Sequence, residues 1–101
     1  MDFTCRLRGI EGLNDRVRVG ELGPGGLVCR QTPFVDEGRL IEVVIDDAEA
    51  DLSYRFTCRV AWLREDVGDD FAIGLMFVGA PLLVHHGKTE HVEDAIDRIA
   101  A

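Results

Sequence analysis

The groups best suited to chemistry in this chain are its arginines and a glycine-rich turn close behind the first of them. Arg6, Arg8, Arg16 and Arg18 fall in two short alternating segments. A planar guanidinium with five donors is the side chain that grips a carboxylate or phosphate in a fork. Downstream, Glu21-Leu22-Gly23-Pro24-Gly25-Gly26 suits a reversal of direction, since proline pre-sets φ and glycine accepts positive φ. A bare-backbone turn of this kind can cradle an anion or simply join two strands. If the two arginine segments pair as neighbours, all four guanidiniums share one outer face. Three readings of that face stay open: a solvated surface balanced by Glu11, Asp15 or Glu21, a docking face for an acidic protein, or a receptor for a small phosphorylated ligand.

The other reactive residue types carry less. Cys5, Cys29 and Cys58 are odd in number and widely spaced, and each falls at an apolar phase of its segment. They read as small buried hydrophobes in a reducing compartment. Neither they nor His85, His86 and His91 show a metal-ligand spacing, so no metal or cofactor is expected. Asp46, Asp47, Glu49 and Asp51 lack the order of a calcium loop and read as a solvated acidic connection. Ser53 is the only serine and Lys88 the only lysine, and nothing marks a nucleophile with its base. The expectation is a non-catalytic protein.

Positioning these groups falls to strands. Phe3, Cys5 and Leu7 alternate with Thr4, Arg6 and Arg8, giving a first half-buried strand. A second runs over residues 16–21, a third from Leu27 to about Gln31, and a fourth over 39–46. In the fifth, Tyr54, Phe56, Cys58, Val60 and Trp62 share one face while Arg55, Thr57, Arg59 and Ala61 share the other. That phase places Trp62 in the core. Phe71, Ile73, Leu75 and Phe77 mark the sixth. Six consecutive strands with tight connections close most economically into an antiparallel barrel, which leaves no long edge exposed. The barrel is expected over about residues 3–78, with a linker over 79–87 and a helix over about 89–100. Thr89 would cap that helix, and Val92, Ala95, Ile96 and Ile99 would form its buried stripe.

All 101 residues fit one domain with its own core. The net charge is −8, unevenly spread. Residues 1–30 hold five arginines against four carboxylates, and the remainder holds six basic against fifteen acidic groups. Overall acidity argues against nonspecific binding to nucleic acid or anionic membrane. The longest apolar run, residues 72–84, is broken by Gly74, Gly79 and Pro81 and is too short to insert in a bilayer. With no basic and apolar leader at the start, a cytoplasmic location is expected.

The order of segments resembles the PilZ domain. The resemblance spans roughly residues 14–80 and rests on Gly25-Gly26-Leu27-Val28, Gly38-Arg39-Leu40-Ile41-Glu42-Val43, Cys58-Arg59-Val60-Ala61-Trp62 and Ile73-Gly74-Leu75-Met76-Phe77 in that order. It implies a six-stranded barrel with a C-terminal helix, in a bacterial protein that binds cyclic di-GMP or regulates motility and pili. The family's Asp/Asn-x-Ser-x-x-Gly motif falls on Glu21 to Gly26, where Gly26 alone matches. Glu21 is one methylene too long and Gly23 lacks the hydroxyl. The companion Arg-x-x-x-Arg does not precede the turn; its one occurrence, Arg55 to Arg59, lies within a strand. The resemblance thus implies a PilZ-like module with a degenerate nucleotide site and a protein partner in motility or surface signalling. A divergent domain that takes cyclic di-GMP or another phosphorylated ligand through the early arginines is the alternative.

Overall fold

The structure is a computed structural model that describes residues 3–9 and 16–100. Alternation of apolar and polar side chains produces strands β1 (Phe3–Arg8), β2 (Arg16–Gly23), β3 (Gly26–Thr32), β4 (Leu40–Asp47), β5 (Leu52–Glu65), β6 (Phe71–Phe77), β7 (Leu82–His85) and β8 (Lys88–His91), followed by helix α1 (Ala95–Ala100). The first six run β4-β1-β2-β3-β6-β5, and β5 pairs back onto β4. Every pairing is antiparallel, so the ring is a closed six-stranded barrel. One face of each strand turns inward, and Val19, Cys29, Val43, Phe56, Cys58, Val60 and Ile73 are buried at its centre. Fully burying an aliphatic or aromatic side chain of this size is worth about 1.5–3 kcal/mol, so closure is driven by the interior row.

The segment after the barrel departs from expectation. The linker over 79–87 and the start of the helix at residue 89 are replaced by the β7–β8 hairpin, and Thr89 sits within β8 opposite Val84. Strand β5 is fourteen residues long. Strand β6 pairs only with its Cys58–Glu65 stretch, which leaves the edge at Leu52–Arg55 open. β7 pairs there, continuing the line of β6. Covering an open strand edge is the physical reason for the extra hairpin. His86 and Gly87 both take positive φ, 49° and 77°, the pair of conformations a two-residue hairpin turn demands.

The helix is accordingly short, and its apolar stripe begins before it. Val92 and Ala95 are buried, and Ile96 and Ile99 pack on the barrel core. Ile99 borders a surface cleft shared with Ile45 and Tyr54.

Trp62 is the second departure. The β5–β6 register shifts between Val60 and Trp62, so one extra residue on β5 is accommodated as a β-bulge. Trp62 then pairs with Gly74 and Leu63 with Ile73. Leu63 packs on the core, while Trp62 lies half-buried on the outer face with Gly74. An unbroken alternation from Val60 would have turned Arg64 inward, and an unpaired charge in an apolar core is costly. The bulge resolves that conflict and re-aims the indole.

Candidate functional site

Arg6 and Arg8 stand on the outer face of β1, and the carboxylates that meet them come from β4. Arg6 donates through Nε to Asp46 Oδ2 at 2.9 Å and through Nη2 to Oδ1 at 3.0 Å. Ser53 Oγ donates to the same Oδ1 at 2.7 Å. Arg8 Nη1 lies 3.2 Å from Glu42 Oε1. The counter-charges expected from Glu11, Asp15 or Glu21 are therefore supplied to these two arginines by residues far away in sequence, across the β1–β4 pairing. Glu11 and Asp15 lie outside the described residues. Arg16 pairs with Arg6 and Arg18 with Thr4 through the backbone, so the four arginines do occupy neighbouring strands. The Arg16 side chain lies outside the described residues, and Arg18 also has an interaction partner.

The glycine turn is the tight β2–β3 hairpin, closed by the pairing of Gly23 with Gly26 around Pro24 and Gly25. Its glycines do not serve the purpose the sequence suggests. None of Gly20, Gly23, Gly25 or Gly26 is among the residues with positive φ. Gly26 is needed instead for close approach, because a Cβ there would fall 1.9 Å from the Leu75 carbonyl oxygen. Gly23 and Gly25 face open space. Phe77 donates its backbone N–H to the Gly25 carbonyl at 3.0 Å, tying the turn to the end of β6.

Beside this hairpin runs a groove of about 350 Å³ on the outer face of the barrel. Its floor is backbone at Gly26 and Gly74, its walls are Val28, Trp62 and Met76, and among the described residues Glu21 is the only charged one lining it. A methyl at Gly74 would lie 2.2 Å from the indole, so the ring rests directly on that backbone. Arg64 places its Cζ 4.3 Å from the Trp62 ring centroid, a cation–π contact.

A further ion pair, which the sequence did not point to, adjoins the groove. Arg30 grips Asp66 in a fork, Nε to Oδ2 at 3.1 Å and Nη2 to Oδ1 at 2.6 Å. The Gln31 N–H donates to Oδ2 at 3.1 Å. The Arg30 hydrogen bond, helped by the backbone donor, holds the Asp66 carboxyl down at about 2. The clamp fastens a bulge in β3, where Gln31 takes φ 56°, to the β5–β6 loop. Only the run of acids at 65–70 hinted at it.

The remaining candidates lie in the core or on the β7–β8 hairpin. The three thiols are buried and reduced. Cys5 and Cys29 Sγ atoms are 3.8 Å apart, but β2 stands between their strands. Two strand spacings put the Cα atoms roughly 9–10 Å apart, beyond the ~7 Å a disulfide tolerates. The Cys5 contact and burial raise the Cys29 thiol, and burial pushes Cys58 up to about 12. Neither offers a thiolate near neutral pH. The ring centroids of His85 and His86 are 4.0 Å apart with the planes tilted by 43°, and His86 Nδ1 lies 3.7 Å from Asp51 Oδ2. Among the described residues no group of three or more His, Cys, Asp or Glu could hold a metal ion, and no helix is long and apolar enough to cross a membrane. No family model matches the chain, and the comparisons found no similar curated protein or solved structure.

Proposed function

We propose that this chain is a PilZ-like, non-catalytic interaction module of bacterial motility or pilus regulation, acting in the cytoplasm through a protein partner and without cyclic di-GMP. The observation that carries the reading is the groove beside the β2–β3 hairpin. At the position where the family's motif would present its short acid and hydroxyl, this groove offers a glutamate, apolar walls and glycine backbone, with no cation lining it among the described residues. A cyclic dinucleotide seated there would bring its two phosphodiester anions against Glu21, while the Arg64 guanidinium lies outside the lining, over the Trp62 ring, and desolvated like charges are unfavourable. Arg6 and Arg8, the nearest in type to phosphate-gripping residues, already hold Asp46 and Glu42. The non-catalytic part of the reading is supported by Ser53, whose hydroxyl is committed to Asp46, and by thiols enclosed in the core.

Calorimetric titration with cyclic di-GMP tests the nucleotide half of the proposal. The expected outcome is no saturable heat at micromolar concentrations, because too few contacts remain to offset the entropy of ordering the ligand. A saturable isotherm abolished by Arg16→Ala and Arg18→Ala would establish the divergent effector reading instead. The interaction half is tested in the native host, where deletion should alter motility or pilus-dependent behaviour. An unaltered deletion strain in which the tagged protein captures no partner would overturn it.

A further inference from the structure

The carboxylates of this acidic protein are not evenly shared among its arginines. Arg6, Arg8, Arg30 and Arg98 each hold one. Among the described residues none forms an ion pair with Arg59 or Arg64, although the chain has nineteen acidic residues. Arg59 Nη1 donates to the Gly38 carbonyl at 3.0 Å. Arg64 rests on the Trp62 ring. Both side chains are exposed.

The bulge at Ala61 and Trp62 is what places them together. Five positions separate Arg59 from Arg64, an odd number that would send them to opposite faces of a regular strand. With one residue absorbed by the bulge, Arg59 pairs with Met76, Trp62 with Gly74 and Arg64 with Ala72, all on the outer face. Their backbone positions are then roughly 13 Å apart along the strand, the span of four residues at ~3.3 Å each, and the Arg64 guanidinium leans back from its position over the Trp62 ring. Between them lie Trp62 and the mouth of the groove. Beside Arg59 are Met76 and Leu40, exposed by 49% and 52%. Tryptophan, methionine and arginine are the residue types enriched at interface centres.

Resting on the reading of the chain as an interaction module, we propose that the outer face of β5 around Trp62 docks an extended acidic segment of a partner protein. That segment presents two carboxylates four residues apart, one to Arg59 and one to Arg64, with an apolar side chain midway between them. In an extended chain residues i, i+2 and i+4 share one face over the same ~13 Å. The central side chain enters the groove over Gly74, against Trp62 and Met76. The guanidinium of Arg64, stacked on the indole, turns its N–H edge away from the ring and is pre-organised to fork onto a carboxylate. Glu21 on the far wall repels acidic groups and confines the segment to the β5 side.

Trp62 is the only tryptophan, so its emission reports this face directly. The probes are the capped peptide Thr-Glu-Thr-Leu-Thr-Glu-Thr, the same peptide with both glutamates changed to lysine, and a ten-nucleotide oligo(dT). The acidic peptide should change Trp62 emission saturably and more weakly as salt rises, while the lysine peptide leaves it unchanged. Arg59→Ala, which keeps the Trp62 contacts, should weaken binding about fivefold or more, as should Arg64→Ala; Arg6→Ala should not. The proposal is overturned if the acidic peptide is silent up to millimolar concentration, if the lysine peptide binds equally, if Arg59→Ala binds as wild type, or if oligo(dT) alone binds. In the host, a partner captured equally by wild type and by the Arg59→Glu, Arg64→Glu double variant overturns this surface while leaving the module reading in place.

Discussion

At the scale of single residues, two glycines that look alike in sequence do different physical work. Gly26 abuts the Leu75 carbonyl, where a Cβ would sit 1.9 Å from oxygen, and Gly25 faces open space. The obstacle at Gly26 is backbone, which cannot swing aside as a side chain could. Gly26→Ala should therefore cost about 1–3 kcal/mol, the usual range for forcing volume into a packed region. Gly25→Ala should stay within about 0.5 kcal/mol of wild type. Urea titration of both variants measures this, and equal midpoints would show that the β3–β6 approach relaxes freely. The special character of this turn was legible in the sequence, but its cause was not. Glycine composition suggests conformational freedom, whereas the close approach depends on Leu75, nearly fifty positions on. Trp62 was misplaced for a comparable reason. Its phase continues that of Val60, and only the presence of Arg64 two positions later signals that the alternation must break.

Among the elements, the six barrel strands were readable because each carries two or more apolar residues at a period of two. β7 and β8 were not. Each has four residues, Leu83 is the only buried one, and their turn is His86-Gly87 rather than the familiar Asn-Gly. What recruits them is the open edge of β5, a tertiary fact. The helix was over-extended because Val92, Ala95, Ile96 and Ile99 satisfy helical spacing, yet Val92 reaches the core from the end of the hairpin. The stripe itself is real, and it closes the core. Ile96→Asp should accordingly destabilise the domain by a few kcal/mol, the cost of placing a charge against apolar surface. Wild-type melting of that variant would show that α1 is dispensable to the barrel. The pairing of Arg6 and Arg8 with β4 was likewise invisible beforehand, since sequence order places β1 beside β2 and does not announce the seam with β4.

For the whole molecule, groups whose protonation differs between folded and unfolded chains set the limits of stability in pH. Asp66 is held at about 2 against an ordinary 3.8. A depressed carboxyl stabilises the fold above its unfolded pKa, and that contribution is lost as pH falls from about 4 towards 2. The thiols act at the other limit. Cys58 is raised from 9.0 to about 12, and Cys29 is raised as well. The unfolded chain then sheds protons that the folded chain retains, so stability is intact below pH 9 and falls above it, by ~1.4 kcal/mol per pH unit for each such thiol. Melting temperature followed from pH 2 to 11 should show a plateau with a fall at each end. Asp66→Asn should lower the plateau and flatten the acid fall, because the variant keeps no proton to gain. Cys58→Ala should lower the plateau through lost packing and make the alkaline fall shallower. An alkaline fall of unchanged slope in Cys58→Ala would mean that this thiol ionises as readily inside the barrel as outside it, and that the core at Cys58 is open to water.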